Sequence, residues 1–328
     1  MKKEVTNRVF ITGVGALLGS VKDSFSNGYI INDELCEKIN AKYQTRSLDR
    51  VSKLLLAASE LSLTDSSVEI DKNVHKEYGL FVGTKYGALN SIHSFDSQAV
   101  AKGALTVKPT QFPNTVLNAP ACQVGIQLSI EGPIYTVCNG TNASLDAIGL
   151  AYNHVKTGHV DAAFVIGADE ISELQIRIHH VDENVHEASG ALVLQTNEDI
   201  RHSNCDIEIV GYYSQSIAYD NRPDNTEVIS NIIKTALRGT DLRTDKVACI
   251  KCCTSNDQII ESLITNVIHS LNYNGLYFAN QPDYMGAVGI ILTIESVYEM
   301  RKCTDKGIAH VIINLSSDNI SVLIIKKH

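Results

Sequence analysis

Short apolar runs rich in valine and isoleucine alternate along the chain with longer stretches in which apolar residues recur at helical spacing. A run apolar at every position has no solvent face, so it must be covered on both sides, as strands are in sheets held between helix layers. The pattern therefore predicts an α/β fold with largely buried strands. Strands are expected over residues 9–13, 78–83, 134–137, 162–168 and 190–195, and again over 207–213, 246–251, 276–279, 311–314 and 321–325. Helices are expected over 50–61, 142–156, 227–237 and 259–271.

Two strand pairs, 162–168 with 190–195 and 311–314 with 321–325, each follow a helix, which points to an internal duplication. The chain has 328 residues, more than one core usually holds, about 250–300. Two halves are expected, 1–205 and 206–328. Without a Pro- or Ser-rich linker between them, they should pack as one body.

The net charge of -9 disfavours phosphate backbones and anionic lipid, so neither nucleic acid nor a membrane is expected as a partner. No stretch reaches the ~20 apolar residues of a membrane span, and the opening residues lack the apolar core of a signal peptide. Eight cysteines are scattered through the chain, mostly in apolar runs, which suits reduced thiols in the cytoplasm. Cys249, Cys252 and Cys253 are read as core or strand residues, because no second Cys/His pair stands at a zinc-like spacing; no metal or cofactor is expected. Gly13, Gly15 and Gly19 miss the G-x-G-x-x-G spacing of a dinucleotide site. His179, His180 and His186 are read as surface residues of a polar connection.

Several landmarks follow one another in a fixed order. They are Val9-Phe10-Ile11-Thr12-Gly13-Val14-Gly15, Leu48-Asp49-Arg50, Gly79-Leu80-Phe81-Val82-Gly83-Thr84 and Phe112-Pro113-Asn114-Thr115. Next come Asn118-Ala119-Pro120-Ala121-Cys122, Gly132-Pro133, Ala168-Asp169-Glu170, Glu187-Ala188-Ser189-Gly190 and Gly286-Ala287-Val288-Gly289. This ordered set resembles the β-ketoacyl synthase family. The resemblance implies the thiolase fold: two similar α/β halves in a five-layered α-β-α-β-α arrangement, here with shortened loops, and normally dimerised.

What the resemblance implies about chemistry is a set of losses. Decarboxylative condensation needs a thiolate at a helix N-terminus and two histidines that polarise the thioester carbonyl. Counting on from Gly132-Pro133 puts Thr141 at the nucleophile position. Cys138, three residues earlier, is the alternative nucleophile, and its plainer reading is a buried small residue. The first histidine position falls on Ile250 by ungapped counting, or on Cys249 when anchored on Asn256-Asp257. The second falls on Asp283, and residues 278–282 lack the family's activating lysine. Residues 313–319 replace its glycine- and phenylalanine-rich gating loop.

The family includes silent subunits, the chain-length factors, which pair with an active ketosynthase and help shape its acyl tunnel. The losses fit such a subunit, with a catalytic ketosynthase as heterodimer partner and an acyl carrier protein engaged through the complex. The alternative is an acyltransferase or hydrolase using Cys138 or Thr141. Leu89, Ile92 and Phe95 share a helix face by i, i+3 spacing and match the family's tunnel-lining element; the competing reading is ordinary core contact. Gln111, Phe112 and Pro113 are expected near the dimer interface.

Overall fold

The computed structural model describes residues 7–23, 28–66, 78–179, 185–196, 206–217, 225–240, 242–254, 258–271, 276–278, 283–316 and 318–328. The first half contributes strands β1 (Val9–Leu18), β2 (Val21–Lys22), β3 (Tyr29–Ile30), β4 (Gly79–Gly83), β5 (Ile134–Val137), β6 (Ala162–Asp169) and β7 (Ala188–Thr196). Its helices are α1 (Asp33–Ile39), α2 (Arg50–Ser66), α3 (Leu89–Lys102), α4 (Ala119–Leu128), α5 (Ala143–Lys156) and α6 (Glu173–His179). The second half adds β8 (Ile207–Ser216), β9 (Val247–Thr254), β10 (Leu276–Phe278), β11 (Ala309–Leu315) and β12 (Asn319–Lys327), with α7 (Asn225–Arg238), α8 (Gln258–Ser270) and α9 (Val288–Lys302).

The expected duplication is visible in the strand order β10-β9-β11-β12-β8-β1-β7-β6-β4-β5. From its outer edge inward, each half has three parallel strands followed by two antiparallel ones: β5, β4, β6, then β7, β1; and β10, β9, β11, then β12, β8. The helices repeat in step, with α2, α4 and α5 of the first half answered by α7, α8 and α9. The halves meet through a short antiparallel contact, Val9 opposite Ile209 and Phe10 opposite Glu208.

Strand alternation builds the layers. In β4, Leu80 and Val82 face an outer core with α2 and α4, while Phe81 faces a central core with α5 and α9. In β11, Ile312 joins that central core, and Val311, Ile313 and Leu315 face a third core under α7 and α8. Three cores between helix, sheet, helix, sheet and helix are the five layers of the thiolase fold. Each fully buried Leu, Ile or Phe adds about 1.5–3 kcal/mol, which is why strands buried on both faces dominate the sequence.

The central layer leaves little room. An added Cβ on Gly83 would sit 2.4 Å from Ser144 Cα, so glycine is what lets β4 lie against the start of α5.

Candidate functional site

The head of α5 is where the two halves close on one another. β5 leads through Cys138 and Asn139 into Gly140, whose φ of 74° suits glycine, and then to Thr141 and Asn142. Asn142 is buried, and its Nδ2 donates to the Asn314 carbonyl (3.0 Å) and to Ser321 Oγ (2.8 Å). Asn314 Nδ2 donates in return to the Thr141 carbonyl at 2.6 Å. In the first turn of α5, Asp146 accepts from Tyr212 Oη at 2.7 Å, from Asn319 Nδ2 at 3.3 Å, and from Ser321 Oγ and Asn139 Nδ2. The residues around Thr141 are thus amides and hydroxyls together with one carboxylate, Asp146. Thr141 Oγ1 is 3.4 Å from Asn142 Oδ1, an amide oxygen that cannot take a proton at neutral pH. A threonine hydroxyl in that setting stays protonated.

Cys138 differs from its expected buried position: it is exposed, with Sγ donating to the Lys85 carbonyl at 3.3 Å. The reason is that β5 is the outermost strand of its half, so it has a sheet neighbour on one side only. Partial burial and the nearby Asp169 charge push its thiol up, the opposite of an activated thiolate.

The histidine positions also move. Ile250 is fully buried in the outer core of the second half, and Cys249 lies beside His310, so neither frames the head of α5. β9 continues to Thr254, three residues past its expected end at 251. Cys253 is the residue brought to the site, at the register position beside Asn314. Burial, then the Asp283 charge, pushes its thiol up to about 12. It is a neutral donor and cannot act as a base. Asp283 is exposed at the approach to α9, with Oδ1 accepting from the Met285 N–H at 2.8 Å.

A residue that sequence reasoning treated only as a landmark organises this region. Asp169, at the end of β6, is buried and accepts from Thr84 Oγ1 (2.7 Å), the N–H groups of Lys85 (2.9 Å) and Tyr86 (2.9 Å), and Gly286 N–H (2.8 Å). It ties the turn that leads into α3 to the turn that leads into α9. Two acids closing an otherwise apolar strand, Asp169-Glu170, were the signal available in the sequence.

His186 is half-buried, not a surface residue: its ring packs 5.0 Å from Tyr29 and 6.3 Å from Tyr284 between centroids. Burial lowers its pKa. Cys36, Cys122, Cys138, Cys249, Cys252, Cys253 and Cys303 are all free thiols. Cys205, His180, Asn256, Asp257 and residues 279–282 lie outside the described residues.

The tunnel and interface candidates come together on one flank. Leu89, Ile92 and Phe95 lie on α3, half-buried, and α3 has no fully buried residue. Gln111, Phe112 and Pro113 lie in the exposed 3-10 turn Pro109–Thr115, and the Phe95 and Phe112 rings are 6.1 Å apart. Phe95 and Gln111 line a cleft of about 280 Å³ with Arg46, Asn90 and Asn114. Exposed apolar side chains are concentrated in the same stretch of chain: Val100, Leu105, Phe112, Val116, Leu117 and Ile126, and Tyr135 on β5. Most large exposed apolar side chains of the described residues fall within 100–135, against the normal tendency to scatter.

In fold, the chain is similar to thiolase-fold ketosynthases. It superposes on the ishigamide ketosynthase/chain length factor with a TM-score of 0.80 and 16% identity, over 98% of this chain and 99% of that one. Residues 7–180, more than half of the chain, match the family described as Beta-ketoacyl synthase, N-terminal domain. The chain belongs to the β-ketoacyl synthase family. Among characterised relatives, it is 27% identical over 137 residues to 3-oxoacyl-(acyl-carrier-protein) synthase 2 of Vibrio cholerae, covering 42% of this chain and 33% of the relative. Against the protein of the same name from Staphylococcus aureus it is 24% identical over 264 residues, covering 65% and 64%. The chain therefore spans between a third and just under two thirds of these relatives' length. Among the described residues, no helix is long and apolar enough to cross a membrane.

Proposed function

We propose that this chain is a non-catalytic, chain-length-factor-type subunit. It pairs with an active β-ketoacyl synthase in type II polyketide, polyene or fatty-acid-like biosynthesis and helps shape that enzyme's acyl tunnel. The observation that carries the reading is Thr141 at the head of α5, a neutral hydroxyl held among amides where condensation needs a thiolate. Cys253 and Asp283 frame the same region, one a protonated thiol and the other a carboxylate that would repel an enolate. In this reading residues 1–205 and 206–328 are the two halves of one cytoplasmic subunit, and an acyl carrier protein is engaged through the complex.

The partner is supported by the flank that remains bare. Among the described residues β5 has a sheet neighbour on one side only, and exposed apolar side chains are concentrated between Val100 and Tyr135. Edge pairing combined with apolar burial is how a two-subunit interface of this kind is held. In this reading Leu89, Ile92 and Phe95, half-buried on α3, line the acyl tunnel.

The test is co-expression with the intact ketosynthase encoded nearest to this chain, followed by size-exclusion chromatography and a condensation assay with malonyl-loaded carrier protein. A one-to-one complex is expected to condense, while this chain alone does not. Leu89→Phe or Ile92→Phe should then shorten the product. Absence of a complex, or turnover of an acyl thioester by the chain alone, would overturn the reading and make Cys138 the residue to mutate.

A further inference from the structure

Three ligand-type side chains that play no part in the site above converge on the central face of β9. Cys249 on β9 and His310 on β11 are register partners on adjacent parallel strands, so their side chains emerge together. Glu299 reaches them from near the end of α9. One ligand atom from each lies within 4.8 Å of the other two, and His310 Nδ1 is 3.8 Å from Glu299 Oε2. A tetrahedral ion with bonds of about 2.0–2.3 Å would hold such donors roughly 3.3–3.7 Å apart. Closing the cluster on an ion requires shifts of about an ångström or less.

A second observation points to a ligand. His310 is 5% exposed, and its Nδ1 is buried with no hydrogen-bond partner among the described residues. Buried ring nitrogens are normally satisfied, and one left aimed at a thiol and a carboxylate calls for an explanation. Lys251 also faces the cluster, with Nζ 2.8 Å from Glu299 Oε1 and 3.5 Å from Glu295 Oε2. One ammonium and two carboxylates leave a net charge of -1, counting one positive against two negative groups. A divalent ion held by a Cys249 thiolate brings the sum to zero, so Lys251 does not exclude it. The two oxygens of Glu299 divide the work, Oε1 toward Lys251 and Oε2 toward His310.

We infer that Cys249, His310 and Glu299 form a binding site for a zinc-class divalent ion, with sulfur, nitrogen and oxygen donors and a fourth position left to water. Thiolate with imidazole selects zinc over magnesium or calcium, which prefer all-oxygen sites. Binding replaces the Cys249 S–H bond with a metal–sulfur bond and releases the proton to solvent. The ion would pin the end of α9 to β9 and β11, the elements that carry Cys253 and Asn314 to the head of α5. The sequence concealed the site because the histidine stands on a strand far along the chain from Cys249, outside any local spacing rule.

The test is titration of the metal-free full chain with Co2+ as the probe. One equivalent is expected to bind with a thiolate-to-Co2+ charge-transfer band, and added Zn2+ should bleach it. Cys249→Ser should abolish the band while Cys122→Ser keeps it. Glu299→Gln, which keeps the size of the side chain and Glu295 beside Lys251, should weaken binding by roughly tenfold or more, with folding checked by circular dichroism. A folded wild-type chain without the band, or a band that persists in Cys249→Ser, would overturn the inference.

Discussion

Glu170 shows how much a single buried group can govern. It is 3% exposed at the end of β6, and burial, then the carboxylates of Asp49 and Glu187, pushes its pKa from 4.5 up to about 8. Between those values the folded chain keeps a proton that the unfolded chain has released, so the folded state binds more protons. The associated stability is present below the unfolded value and is lost as pH rises through about 8. Thermal unfolding should show the melting temperature falling between pH 5 and pH 8.5, and Glu170→Gln should remove much of the fall, adding about 1–3 kcal/mol at pH 8. An unchanged pH slope in the variant would show that another group carries it. Residue positions were legible where counting crossed short, rigid structure. The expected strand and helix around Thr141 are both present, because strand, turn and helix follow Gly132-Pro133 closely. The place of Cys253 beside Asn314 was not legible because β9 runs three residues further than expected, and Cys138 was misplaced because rules for a fully buried strand fail on an outermost one.

At the scale of elements, the close packing of β4 on α5 sets the position of the α5 head. Gly83→Ala would drive a methyl group to 2.4 Å from Ser144 Cα, a backbone atom that cannot swing aside. Urea denaturation should report a loss of about 1–3 kcal/mol or more. A neutral result would mean that β4 and α5 separate more easily than this contact implies. The strands were readable because they are apolar on both faces. α9 was harder, since it is buried nearly all round between two sheets and shows no polar stripe from which a helical period could be read. α4 opens with Ala119-Pro120 and is short, so it left little periodic signal.

The whole molecule is two matching halves, and in the proposed reading their shared centre lacks condensation chemistry. Ile126→Asp places a charge in the exposed apolar stretch between Val100 and Tyr135, on a side chain already 69% exposed. Stability should change by no more than about 0.5 kcal/mol, while co-elution with the ketosynthase should be lost. Retained co-elution would move the interface elsewhere. The duplication was legible as order alone, because matched topology needs only equivalent burial patterns and tolerates residue divergence.

One comparison within the purified pair tests most directly which subunit carries the chemistry. Condensation of malonyl-loaded carrier protein is measured with Thr141→Ala in this chain and the ketosynthase intact, and then with the ketosynthase's nucleophilic cysteine changed to alanine and this chain intact. The prediction is that the first pair condenses at the wild-type rate and the second is inactive. Loss of condensation in the first pair, or turnover by the second, would contradict the claim that the chemistry belongs to the partner.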